Sequence, residues 1–210
     1  MQCNKCPMKL KCSDSPRQKK RGLLGFFRKK KETTTAESVK MTQIALVGMP
    51  NVGKSVLFNG LTGTYVTVSN YPGTTVEVSR GQTSIGELPV AVVDTPGMYS
   101  LLPITEEEKV ARDLLLFQSF DVVIHVVDAK NLGRMLPLTF QLIEAGLPSI
   151  LAINMMDEAQ QLGIEINPEY LERELGIPVV TMAAAANFGV NELKARVAEY
   201  VSSNCLSRSY

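Results

Sequence analysis

At 210 residues, 45% apolar and 20% charged, the chain has the make-up of one globular domain with some length to spare. No apolar run approaches the roughly 20 residues of a bilayer-spanning helix, and the first residues lack the apolar core of a secretory leader, so a cytoplasmic protein is expected. The net charge of +1 hides a split: residues 1–40 hold 12 Lys and Arg against 3 Asp and Glu, and residues 41–210 hold 10 against 18.

Residues 1–41 read as a basic, cysteine-containing arm that is expected to be flexible. Within 3-CNKCPMKLKC-12, Cys3, Cys6 and Cys12 include a C-x2-C pair, a thiolate clamp for zinc or iron. Three thiolates leave a tetrahedral site one ligand short, and His125 lies in a strand-like run, so a merely reducible tail is the alternative. Further on, 19-KKRGLLGFFRKKK-31 sets an apolar knot between basic clusters. It reads either as a solvated arm or as a contact with anionic lipid, with Leu23, Leu24, Phe26 and Phe27 dipping in. RNA is a less favoured partner for the same charges, because no folded RNA-binding module stands beside them.

Residues 42–203 form the expected folded domain, and 204–210 a tail. The β-branched, apolar runs at 43–48, 76–85, 88–94, 122–128, 149–154 and 178–182 predict six strands, most of them buried. Helical patterns fall at 54–62, 105–118, 132–146, 168–175 and 190–201; in the last, Val190, Leu193, Val197 and Val201 share one face. The expectation is an α/β fold: a six-stranded, mostly parallel sheet with helices on both faces. Its one antiparallel strand would come from a hairpin turning at Gly86-Glu87. In such sheets ligands bind at the carboxyl ends of the strands, so the residues after each strand carry the function.

After the first strand comes Gly48-x4-Gly53-Lys54-Ser55, a complete phosphate-binding loop spanning Met49, Pro50, Asn51 and Val52 and opening a helix at Val56. Its amides form an anion nest, Lys54 reaches the β- and γ-phosphates, and Ser55 offers a hydroxyl to Mg²⁺. After the third strand, 94-DTPG-97 places Asp94 for Mg²⁺ and the Gly97 amide for the γ-phosphate, with Thr95 and Pro96 between them. The fifth strand leads into 154-NMMD-157, where Asn154, Met155 and Asp157 fit a guanine-reading box; a carboxylate there accepts the N1 and N2 hydrogens that adenine lacks. After the sixth strand, Ala183, Ala184 and Ala185 are small enough for their amides to approach the base. The usual form of that loop carries Ser-Ala, so easy nucleotide exchange is expected. Between the first helix and second strand, 64-TYVTVSNYPGTTVEVSRG-81 reads as a switch segment made mobile by Asn70-Tyr71-Pro72-Gly73, with two candidate Mg²⁺-binding threonines, Thr74 and Thr75.

Together, GMPNVGKSVLFNGLTG, VSNYPGTTVE, DTPGMYSL, NMMD and LGIPVV resemble the G domain of the bacterial ferrous iron transport protein B family over about residues 42–201. The resemblance implies a P-loop NTPase G domain that hydrolyses GTP to GDP and phosphate with Mg²⁺, as a nucleotide switch linked to ferrous iron transport. It places the switch threonine at Thr75. Two departures are visible: Met155 replaces the lysine common in this box, and Thr95 stands where the family more often has leucine. Met98 follows Gly97 where many GTPases carry a glutamine, so electrostatic help must come from elsewhere. The resemblance supplies it as K⁺ held by Asn51 near the phosphates; a side chain bonding its own backbone is the alternative role for Asn51. The catalytic set is then Asn51, Lys54, Thr75 and Gly97.

The family's helical regulatory and membrane domains would lie outside this chain, which is expected to be either a piece of a longer transporter or a free-standing relative that regulates rather than conducts. The expected partners are guanine nucleotide, a membrane permease or the inner membrane face, and another copy in a nucleotide-dependent oligomer. A ribosome or RNA assembly GTPase, and a metal-sensing partner module, are the competing readings of the whole.

Overall fold

The computed structural model describes residues 41–63 and 66–207. The expectations for Cys3, Cys6, Cys12 and the stretch 19–31 fall outside these residues. Strands β1 (Thr42–Val47), β2 (Val66–Asn70), β3 (Glu77–Ile85), β4 (Leu88–Asp94), β5 (Val122–Asp128), β6 (Ser149–Asn154) and β7 (Val179–Thr181) form one sheet in the order β2-β3-β4-β1-β5-β6-β7. The helices are α1 (Lys54–Thr62), α2 (Glu106–Phe117), α3 (Leu132–Glu144), α4 (Met156–Gln161), α5 (Pro168–Leu175) and α6 (Val190–Ser207).

β1, β5 and β6 are apolar without alternation because helices cover both faces of the central sheet, and nearly all of their residues are buried. Leu57 and Phe58 of α1 and Leu193 and Val197 of α6 pack on one face. Val110 and Leu114 of α2 with Leu138 and Leu142 of α3 pack on the other. β1 pairs in parallel with β4 and β5, which brings the carboxyl ends of these three strands to one edge of the molecule.

The sheet has seven strands rather than the expected six. The added strand, β2, lies in the segment read as a switch loop and pairs antiparallel with β3 over five residue pairs, Val66↔Gly81 to Asn70↔Glu77. All five of its residues are exposed, so it has no buried face and left no apolar pattern to read. Being antiparallel to β3, β2 runs with the rest of the sheet, and β3 remains the one reversed strand. α6 continues to Ser207, four residues beyond the expected domain end at 203.

Candidate functional site

The loop from Gly48 to Gly53 turns between β1 and α1, and its glycines are imposed by contact. A Cβ on Gly48 would lie 2.2 Å from the Val126 carbonyl oxygen. One on Gly53, which has φ +86°, would lie 2.4 Å from Asn154 Nδ2. Gly53 caps α1 without any side-chain hydrogen bond, so the first amides of this helix stay open at the strand ends. Met49 and Val52 turn their side chains into the core and contribute backbone only. Asn51 is exposed at φ 65°, a backbone conformation that asparagine tolerates better than most residues. Its side chain makes no hydrogen bond among the described residues, so the alternative of a self-bonding cap finds no partner here.

Lys54 is 8% exposed and its Nζ donates to Met49 O at 3.1 Å, folded back over the loop. Burial lowers its pKa below the ordinary lysine value, opposed by the charge of Asp94. Ser55 Oγ donates to Asp94 Oδ2 at 2.8 Å, joining the two expected Mg²⁺ ligands. The other carboxylate oxygen, Asp94 Oδ1, is buried with no hydrogen-bond partner. Burial raises the Asp94 pKa, opposed by the Ser55 hydrogen bond and then by Lys54. A buried carboxylate oxygen without a partner beside a serine hydroxyl is a donor set that fits a hard divalent cation.

After Asp94 the chain folds against the loop. Thr95, 3% exposed, donates its hydroxyl to Leu46 O at 2.8 Å. Its side chain is therefore a brace on β1. Met98 N donates to Gly48 O at 3.1 Å, and a Cβ on Gly97 would lie 2.8 Å from Pro50. Met98 is fully buried, so its side chain cannot face a reacting phosphate.

The structure separates the two switch threonines. The Thr74 hydroxyl donates to Tyr71 O at 3.0 Å and accepts from Val76 N at 3.2 Å. With Tyr71 N bonded to Val76 O at 2.8 Å, Thr74 closes the turn between β2 and β3. The Thr74 hydroxyl is thus engaged within the turn, whereas among the described residues no such bond ties the Thr75 side chain. Gly73 sits at φ +80° in the same turn, and Thr75 is exposed. The segment is a hairpin turn here rather than a free loop.

On the base side, Asn154 is 3% exposed and hydrogen-bonded through both ends of its amide. Its Nδ2 donates to Val52 O at 3.0 Å and its Oδ1 accepts from Ala184 N at 2.9 Å. It ties the phosphate loop to the 183–185 loop. Asp157 is the exposed carboxylate of the box. Met155 holds φ 61° at the start of α4, and a cavity of about 80 Å³ lies among Gly53, Val56, Met155, Asp157, Ala183 and Ala185.

Two further residues were not singled out from the sequence. Glu108, 5% exposed, accepts from Tyr99 N at 3.1 Å, Ile104 N at 2.8 Å and Thr105 N at 3.2 Å, and so holds the loop after 94-DTPG-97. These donors, Ile104 foremost, hold its carboxyl below the usual range against the opposing effect of burial. The signal was present in 105-TEEE-108, whose first and last residues form a capping box at the start of α2. Lys130, in the turn after β5, is ion-paired with Glu158.

The family model described as ferrous iron transport protein B matches residues 42–197. The Fe(2+) transporter FeoB of Legionella pneumophila (strain Lens) is 42% identical over 158 residues, which is 73% of this chain and 21% of that protein. The Fe(2+) transporter FeoB of Escherichia coli is 42% identical over 166 residues, covering 77% and 22%. This chain therefore spans about a fifth of the curated relatives it matches. Among solved structures, the G domain of the T. maritima FeoB iron transporter superposes with a TM-score of 0.72 at 41% identity, covering 77% of this chain and 99% of that one. The cytosolic domain of the same transporter, in a GDP form, gives a TM-score of 0.74 at 41% identity over 78% and 64% of the two chains. The FeoB G domain of Methanococcus jannaschii gives 0.69 at 42% identity over 78% and 99%. Loop, strand ends and fold agree with the match, and the chain belongs to the ferrous iron transport protein B family.

Proposed function

We propose that the chain is a guanine-nucleotide switch that hydrolyses GTP to GDP and phosphate and serves ferrous iron transport. The observation that carries this reading is the pairing of Ser55 with Asp94, whose second oxygen is buried without a partner at the open amino end of α1. A phosphate-bound Mg²⁺ would satisfy that oxygen. The GDP form of the T. maritima relative supports the same choice of ligand.

Ser55, Asp94 and, from the switch turn, Thr75 would hold Mg²⁺, which neutralises charge on the phosphates. The amides of 48–55 cradle the phosphate oxygens, and Lys54 exchanges its bond to Met49 O for the β- and γ-phosphates. Asp157 accepts the two hydrogens of the guanine edge, while Asn154 keeps the base loop against the phosphate loop. With Met98 buried, the main-chain groups of Gly97 and Thr75 are left to orient the attacking water. The free amide oxygen of Asn51 is a hard donor suited to K⁺ at the phosphates. This supports K⁺-stimulated hydrolysis.

A domain at 42–203 with this switch would pass its nucleotide state to a membrane permease partner, and residues 1–41 would act as a separate basic arm. Phosphate release from GTP and ATP, in K⁺ and in Na⁺, with Mg²⁺ and with chelator, tests the reading. Release from GTP alone, Mg²⁺-dependent and faster in K⁺, is expected, with the K⁺ effect gone in Asn51→Ala. Equal release from ATP, or activity indifferent to chelation, would reject it.

A further inference from the structure

The carboxyl end of β5 carries a charged network to which nucleotide binding has so far assigned no task. Asp128 is buried and level with Asn154 on the neighbouring strand. It accepts from Lys130 N at 2.9 Å and from Asn131 Nδ2 at 3.0 Å, fixing the 3-10 turn Ala129–Asn131. From that turn the Lys130 ammonium reaches α4, where it is ion-paired with Glu158, and it lies 3.9 Å from Asp128 Oδ2. Glu158 adjoins Asp157 in the first turn of α4, and both carboxylates line the 80 Å³ cavity expected to take the base. α4 is only six residues long, too short to hold its own first turn rigidly.

We propose that Lys130 is a positioning residue for guanine recognition: it draws Glu158 towards β5 and leaves Asp157 as the one carboxylate free to read the base edge. The inference rests on the assignment of Asp157 to guanine and deepens it. Guanine presents one paired donor edge, N1–H and N2–H, and one carboxylate satisfies it. A second, unpaired carboxylate in the same cavity repels the first and competes for those hydrogens. Lys130 removes that competition by engaging Glu158, and it anchors the turn on which Asp157 stands. No other part of the proposed site needs Lys130, since phosphate and Mg²⁺ contacts arise from β1, α1 and β4.

The test uses inosine diphosphate, which keeps N1–H but lacks the exocyclic amino group, so the ratio of GDP to IDP affinity measures the alignment of Asp157. Titration calorimetry on the full chain would compare wild type, Lys130→Met, Lys130→Arg and the double variant Lys130→Met with Glu158→Gln. Wild type should prefer GDP over IDP by about tenfold, the worth of one charge-assisted hydrogen bond. Lys130→Met should bring that ratio close to one and raise the KM for GTP, with kcat within about twofold and the melting temperature unchanged. Lys130→Arg, and the double variant that removes the competing charge, should restore the ratio. A Lys130→Met protein that keeps the wild-type ratio overturns the proposal, as does one that loses both ligands together with its melting temperature. A wild type that binds ADP as well as GDP would instead overturn the Asp157 reading beneath it.

Discussion

Replacing Asn154 with alanine removes two hydrogen bonds at once, and both partners are backbone groups in the loops on either side of the base cavity. Val52 O loses its donor at 3.0 Å and Ala184 N its acceptor at 2.9 Å. A buried polar group stripped of its partner costs about 1–3 kcal/mol, so the pair costs about 2–6 kcal/mol. For a domain of this size each kcal/mol lowers the melting temperature by roughly 2–4 °C, giving a fall of about 4–24 °C. Asp157→Ala provides the contrast. Asp157 is exposed, so the change should shift stability by no more than about 0.5 kcal/mol while abolishing the preference for guanine. Thermal unfolding by circular dichroism without nucleotide, followed by titration with GDP and ADP, separates the two roles. A melting temperature for Asn154→Ala within a degree or two of wild type would refute the assignment of Asn154 as the tie between the loops.

Gly53→Ala places a Cβ 2.4 Å from Asn154 Nδ2 at φ +86°, and should cost about 1–3 kcal/mol in strain and disrupt the same tie; unfolding in urea reads the cost. Glu108→Gln removes the charge that three backbone donors face, so phosphate release should slow and the segment 99–105 should lose amide-exchange protection; protection equal to wild type would contradict its role. Because those donors depress the Glu108 pKa, its contribution is present above the unfolded value and lost as pH falls through the folded one, so Glu108→Gln should flatten the acid limb of stability below about pH 4.5. His125 is fully buried, with Nδ1 2.9 Å from Thr139 Oγ1, and burial, with a smaller effect of Lys54, lowers its pKa to about 3. The unfolded chain then binds the proton first, so stability should fall from about pH 6.5 downward, a slope that His125→Leu should remove when unfolding is measured across pH.

The parts of this fold that could be read in advance are those whose residue pattern follows from burial. VVIHVVD and SILAIN are buried on both faces and coincide with β5 and β6, and PEYLEREL, opened by Asn167 and Pro168, coincides with α5. β2 was not legible because VTVSN is exposed along its whole length and owes its extended form to pairing with β3. The phosphate loop was legible because its glycines answer steric contacts that any side chain would violate. Local pattern alone leaves Thr74 and Thr75 open and only the family resemblance favours Thr75; the hydrogen bond of Thr74 to Tyr71 O forms once the turn closes. Motif spacing locates Asn154 and Thr95 without revealing the hydrogen bonds by which each also braces a loop. Lys130 and Glu158 lie 28 positions apart, and their pairing is a product of the fold.

Equilibrium binding of GDP and ADP to the full chain in Mg²⁺ and K⁺ tests the central claim most directly. A guanine-nucleotide switch should bind GDP and discriminate against ADP by about a hundredfold, because adenine presents no donor pair to Asp157 and leaves its carboxylate unsatisfied. Asp157→Ala should erase the difference. Equal affinities in the wild type, or binding of neither nucleotide, would contradict the account.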